Sequence, residues 1–168
     1  MAFRMAMVLA GTLLLAAPEQ PRAQGIGSTA SPVEERNRKV ISTAFERWAS
    51  GNGDVFSLLT DDARWQIIGS DPEIARTYHS REELLAGAAR PLAARLTTPL
   101  KPVVRRIWAD GEDVLVHWDG SAELFDGTTY RNSYLWIMTV KDDRVVAVTA
   151  FLDIPSFKAA LALPAPAR

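Results

Sequence analysis

The chain has 168 residues and no cysteine, so it can form no disulfide, no thiolate nucleophile and no cysteine-based metal site. Its 19 Lys and Arg nearly cancel its 20 Asp and Glu. With no basic surplus to neutralise phosphates, nucleic acid is not an expected partner. At 48% hydrophobic and 23% charged residues, the composition is that of a globular domain able to bury its own core.

Arg4 precedes a run from Met5 to Ala17 that is apolar apart from Gly11 and Thr12. A run of about a dozen residues is too short for a hydrocarbon core that needs ~20. One positive residue, an apolar stretch, the breaker Pro18 and then small residues match a secretory signal peptide, cleaved after Ala17 or Ala23. Residues 1–23 are therefore expected to direct export, periplasmic or secreted, with no membrane span in the mature form. "QGIGSTAS" has no periodicity and reads as a flexible linker over 24–31. The folded domain is expected over 32–162, and the Pro-broken end of "LALPAPAR" as a disordered tail over 163–168.

Ser31, Pro32 and Glu34 form a capping box ahead of a helix. Val33, Val40, Ile41, Ala44, Phe45 and Trp48 recur at helical spacing, and Gly51-Asn52-Gly53 ends the element. Asp54 can cap a second, short helix through Leu59, and "ARWQIIG" reads as a strand. Ser80 and Glu83 cap another helix, which Pro91 should kink or split. From Val103 the period becomes strand-like, over 103–109, 114–125, 129–141 and 145–153, joined by "DGED", "DGT" and "DDR". Three such tight connections predict an antiparallel meander. A last short helix is expected near Pro155-Ser156, with Asp153 as its cap. Helices grouped ahead of an antiparallel sheet indicate an α+β fold. A long sheet with few covers should curl around the long helix into a cone-shaped barrel.

The phrases "FERWASGNGDVFSLLTDDARWQIIG", "YHSREELL", "ADGEDVLVHWDGSAELFDGTTYRNSYLWI" and "RVVAVTAFLDIPSF" resemble the nuclear transport factor 2-like superfamily, in its SnoaL-like and ketosteroid-isomerase-like branch. The resemblance implies the cone-shaped fold with an internal pocket. Its chemistry transfers only where residues match. The base carboxylate that ketosteroid isomerases carry on the first strand is missing from Arg64-Trp65-Gln66-Ile67-Ile68. The Arg-x-Asp pair of limonene epoxide hydrolases stands here as His117-Trp118-Asp119, and their last-strand Asp falls at Ala150. Their water-holding Tyr and Asn fall at Trp65 and Ile67.

His117 and Asp119 lie two apart on one strand and so share a face of the sheet. The layout the resemblance implies turns that face into the cone, together with Asn132 and Tyr134 of the next strand. Strand alternation alone supports the opposite choice, with Val114, Val116 and Trp118 inside and the pair in water or at a dimer face. In the first case His117 and Asp119 are the candidate catalytic acid–base pair, or line the cavity without catalysis. Asn132 and Tyr134 would then hold a ligand oxygen, and Trp65 would pack against its ring. Trp108 and Trp136 are assigned to core packing or dimer contact, and His79 to a surface loop.

No H-E-x-x-H, G-x-S-x-G, Walker or dinucleotide pattern occurs, and no metal and no cofactor are expected. Apolar residues stand on both faces of the last strand, Val146, Val148, Ala150 and Leu152 against Val145, Ala147 and Phe151. One face would cover the pocket, and a homodimer through the sheet would cover the other. Two functions fit. One is a cofactor-free isomerase, hydrolase or cyclase acting on a small hydrophobic molecule. The other is a non-catalytic exported module that binds such a ligand or serves assembly.

Overall fold

The computed structural model describes residues 30–164. The expected signal segment 1–23, positions 24–29 of the expected linker and 165–168 of the expected tail lie outside the described residues.

Helix α1 (Pro32–Ala49) starts at the expected box: Ser31 Oγ accepts the Glu34 N–H at 3.2 Å, and Glu34 Oε2 accepts the Ser31 N–H at 2.6 Å. Glu34 Oε1 also accepts the Gly111 N–H at 3.0 Å, which ties the start of α1 to a distant hairpin turn. A 3₁₀ turn over Val55–Leu58 follows, capped by Asp54, whose Oδ1 accepts the Ser57 N–H at 3.0 Å. Helix α2 (Arg81–Leu84) begins at the Ser80 cap, widens into a π turn over Leu85–Ala89 and continues as α3 (Arg90–Ala93). Pro91 has no N–H, and its ring crowds the carbonyl four residues back. The widened turn accommodates this where a kink or break was expected. Helix α4 (Ile154–Ala162) is capped by Asp153.

Six strands form one sheet: β1 (Leu59–Ile67), β2 (Thr77–Tyr78), β3 (Lys101–Asp110), β4 (Asp113–Glu123), β5 (Thr129–Lys141) and β6 (Arg144–Leu152). Their order is β2-β1-β6-β5-β4-β3, so β3 to β6 are the expected antiparallel meander. The turns suit their residues: Asp142 and Asp143 both take positive φ, 49° and 60°, which is the two-residue turn whose twist matches a hairpin. Strand β1 joins β6 in parallel, with Trp65 beside Val148 and Ile67 beside Ala150. The fold is α+β, a curved sheet wrapped around α1 in the expected cone.

The inner face of the sheet carries Val114, Val116 and Trp118 of β4 and Tyr134, Trp136 and Met138 of β5, all buried. These pack with Ile41, Ala44 and Phe45 of α1. A register shift in the β5–β6 pairing brings Val145 to the inner side with Val148, because Val140 pairs Val145 while Thr139 pairs Ala147. One extra residue in a strand does this. It corrects the grouping of Val145 with Ala147 and Phe151.

Candidate functional site

Alternation decides the faces. Hairpin pairing sets His117 opposite Leu135 and Asp119 opposite Ser133, while Trp118 faces Tyr134 and Gly120 faces Asn132. Directly paired residues share a side of the sheet. His117 and Asp119 therefore lie on the outer face, and Asn132 and Tyr134 on the inner one. The four cannot line a single wall, and the grouping implied by the resemblance is corrected here. The physical reason is that Val114, Val116 and Trp118 take the inner positions, and a strand cannot turn both alternating sets inward.

On the outer face His117 is exposed, and Asp119 is held by other partners. Ser133 Oγ donates to Asp119 Oδ1 at 2.5 Å, and Arg105 Nε donates to Oδ2 at 2.7 Å. The Ser133 hydroxyl and then the Arg105 guanidinium hold the Asp119 carboxyl below its ordinary range. A carboxylate so satisfied as an anion is a poor proton acceptor. Asp119, Arg105 and Arg131 border a shallow polar cleft of about 510 Å³, which Asn132 and Asp153 also reach.

Inside the cone is a cavity of about 700 Å³. Its walls come from every layer: Trp48 of α1, Phe56 of the 3₁₀ turn, Trp65 and Ile67 of β1, Trp118 of β4, Tyr134 and Trp136 of β5, and Ala150 and Leu152 of β6. The helices contribute Leu84, Leu92 and Phe157. Trp118 and Tyr134 stack nearly parallel, 4.0 Å between ring centroids at 9°, and Trp65 meets Trp136 edge-on at 4.8 Å. Trp65 and Tyr134 both line this cavity, Tyr134 without His117 and Asp119 beside it. Trp136, assigned to core or dimer packing, lines the cavity as well, whereas Trp108 lies on the outer face beneath the Arg106 guanidinium. Trp48 and Phe56 were not singled out. Their helical spacing shows an inward stripe but not where the stripe runs out of core and into open space.

Among the described residues, the ionisable side chains on this wall are Asp54, Arg90 and Tyr134. Asp54 and Arg90 are exposed at the rim, and Arg90 is engaged by both carboxylate oxygens of Glu82. Tyr134 is buried, and its hydroxyl lies 2.6 Å from that of Tyr130. Burial pushes the Tyr130 phenol up to about 12 and raises Tyr134 as well, so both are neutral at ordinary pH. Trp65, Ile67 and Ala150, where the resemblance would set a tyrosine, an asparagine and an acid, all face the cavity and carry no such group. No group of three or more His, Asp or Glu with metal-binding geometry occurs among the described residues, and no described helix is long and apolar enough to cross a membrane.

A family model described as a SnoaL-like domain matches residues 41–148. Among solved structures, a putative SnoaL-like polyketide cyclase from Jannaschia sp. CCS1 is 19% identical, with a TM-score of 0.63, covering 82% of this chain and 99% of its own. An LEH-like epoxide hydrolase from M. tuberculosis is 16% identical, with a TM-score of 0.57 over 77% of this chain and 92% of its own. A protein from Catenulispora acidiphila with a ketosteroid isomerase-like fold, solved with trimethylamine, is 16% identical, with a TM-score of 0.52 over 74% of this chain and 94% of its own. At these identities the likeness is one of fold. No curated protein matches the chain significantly.

Proposed function

The chain belongs to the SnoaL-like domain family, and on that premise we propose that it binds a flat, largely apolar small molecule inside the cone. One observation carries this reading: apart from the Tyr134 hydroxyl and the exposed Asp54, Arg90, Thr97 and Thr98, the side chains that line the cavity are aromatic or aliphatic. Such a wall recognises shape and apolar surface, with few polar groups to fix orientation. Among the described residues its carboxylate, Asp54, is exposed at the rim and caps the 3₁₀ turn, and it carries no imidazole, so binding is favoured over an isomerase, hydrolase or cyclase reaction built on His117 and Asp119. The wall tryptophans supply the test. Fluorene, a planar tricyclic hydrocarbon, should quench the fluorescence of the mature domain saturably at one site. His117→Ala and Asp119→Asn should leave that affinity unchanged. Absence of saturable binding would sink the reading, and loss of binding in either variant would return the outer pair to consideration.

Export and dimerisation belong to the same proposal. The outer face exposes Val103 at 50%, Trp108 at 40% and Phe151 at 40%, with Leu115, Leu135 and Ile137 half-buried around them. An apolar surface of this kind fits a second copy laid sheet to sheet, with His117 at its border. Native mass spectrometry of the exported protein should give a chain beginning at Pro18 or Gln24 and an assembly of twice its mass. Phe151→Glu should reduce that assembly to the single chain. An intact N-terminus, or a wild-type monomer at micromolar concentration, would count against export or against the dimer respectively.

A further inference from the structure

We infer that Asn52-Gly53, in the turn at the mouth of the cavity, is a self-modifying site: the Asn52 side-chain amide converts spontaneously to a carboxylate, assisted by Arg47. The inference stands apart from the cavity reading above, because it concerns the covalent chemistry of the chain itself.

The reaction is intramolecular. The Gly53 nitrogen loses its proton and attacks Asn52 Cγ, closing a cyclic imide. The Cγ–Nδ2 bond breaks, and the side-chain nitrogen leaves as ammonia with the proton that Gly53 lost. Water then opens the imide at one carbonyl or the other, giving aspartate or isoaspartate. Nothing is oxidised or reduced. The chemistry needs an uncrowded following residue, a backbone N–H not committed elsewhere, access to water and a group that stabilises the deprotonated peptide.

Asn52-Gly53 meets each condition. Glycine has no Cβ to obstruct the attack, and Gly53 takes φ 141°, a backbone conformation that favours glycine. Both residues are exposed to water. The Gly53 N–H has no hydrogen-bond partner among the described residues. Arg47 Nη2 donates to the Asn52 carbonyl oxygen at 3.2 Å. That oxygen belongs to the same peptide as the attacking nitrogen, so resonance spreads onto it the negative charge left by the departing proton. A guanidinium beside it stabilises the charge where it develops. Arg47 is thus a positioning residue that acts through the Asn52 carbonyl. The amide to be lost is tethered only at Nδ2, which donates to the exposed Ser50 Oγ at 3.2 Å.

Comparable pairs elsewhere in the chain each fail a condition. Asn37 and Asn132 are buried, and Arg38 and Ser133 follow them with side chains of their own. An Asp-Gly pair can close the same imide with water leaving in place of ammonia. After Asp110, however, the Gly111 N–H donates to Glu34 Oε1 at 3.0 Å. After Asp126 the Gly127 N–H donates to the Leu124 carbonyl at 3.0 Å, and after Asp119 Gly120 is buried in β4.

The product changes the mouth of the cavity. Gly51, Gly53 and Asp54 all border it, so a new carboxylate at position 52 sits in sequence between two lining glycines and close to Asp54. Isoaspartate also adds a methylene to the main chain, just ahead of the cap of the 3₁₀ turn that carries Phe56.

Incubation of the full chain at pH 8, followed by peptide mapping in a mass spectrometer, makes the test. The peptide holding Asn52 should gain one mass unit, through an intermediate lighter by one ammonia. It should also become a methyl acceptor for an isoaspartyl methyltransferase, while the peptides holding Asn37 and Asn132 stay unchanged. Arg47→Gln should slow the conversion roughly three- to tenfold, the effect of one charge beside the reacting peptide. Arg47→Lys should recover part of that rate. Arg47 is exposed, so neither substitution disturbs the core. In urea, wild type and Arg47→Gln should react at one common rate, because the contact is gone. An Asn52 that stays intact in the folded chain while it reacts in urea would overturn the inference. So would a folded Arg47→Gln that reacts as fast as wild type.

Discussion

Trp118→Ala should lower the unfolding free energy by about 3–5 kcal/mol, the range for removing a large aromatic from a packed core. Against the ~5–15 kcal/mol that holds a whole domain, this is the difference between a stable and a marginal protein. Trp118 is fully buried and sits at the point where α1 meets the sheet. Its indole lies edge-on to Trp48 at 5.1 Å, Trp136 at 4.8 Å and Phe45 at 5.7 Å, with Tyr134 stacked on its face. Its Nε1 has no hydrogen-bond partner, so the loss is one of packing rather than of a bond. Urea unfolding measures it, and a midpoint equal to wild type would refute the packing account. Gly120 supplies an internal control. A Cβ built there would lie 2.9 Å from Trp118 Cζ3, 3.1 Å from Leu100 Cδ1 and 3.3 Å from Tyr134 Cε2. The glycine is required by space, not by its backbone angle. Gly120→Ala should therefore destabilise wild type by about 1–3 kcal/mol and cost less in the Trp118→Ala background.

Much of the fold was legible because it is encoded locally. Ser31, Ser80, Asp54 and Asp153 announce helix starts through side chains three residues from their partners. The Asp-Gly and Asp-Asp turns announce hairpins. What could not be read is what closes the cone. The parallel pairing of β1 with β6 joins segments with no turn between them, and β2 is two residues long. The shift that moves Val145 to the inner face leaves no mark in a run of valines and alanines. The same distinction divides the site. Ring chemistry alone does not sort the aromatics of the sheet, since Trp65, Tyr134 and Trp136 line the cavity while Trp108 lies on the outer face. The face that His117 takes was left open, because the register implied by the resemblance and the alternation of Val114, Val116 and Trp118 pointed to opposite sides. A change of one residue in register turns over every side chain of a strand. The hairpin around Asp126-Gly127 held the answer: pairing Glu123 with Thr129 sets Trp118 against Tyr134, and leaves His117 on the other face.

Ala150→Asp should destabilise the protein by several kcal/mol at pH 8 and by much less at pH 4. Ala150 is 1% exposed and pairs with Trp136 on one side and Ile67 on the other. It stands at the position where the resemblance implies an acid. Among the described residues no cation lies in the interior to hold an anion there, so desolvation would raise the folded-state pKa above the unfolded value of about 3.9. The sign follows from linkage. Below the unfolded pKa both states are protonated and the electrostatic penalty is absent; it grows with pH and levels off above the folded pKa. Each unit of displacement is worth about 1.4 kcal/mol. Urea midpoints of wild type and variant at the two pH values measure it, and a penalty independent of pH would mean that the cavity wall is well hydrated. Asp119, on the opposite face of the same sheet, shows the contrast: with a serine hydroxyl and a guanidinium beside it, its carboxyl is held below its ordinary range. There its contribution to stability is present above the unfolded pKa and is lost as the pH falls through the lowered folded value. The sheet thus stabilises a negative charge on its outer side and would neutralise one on its inner side. Under the proposed function, a ligand entering the cone would meet the second environment, which favours an uncharged molecule.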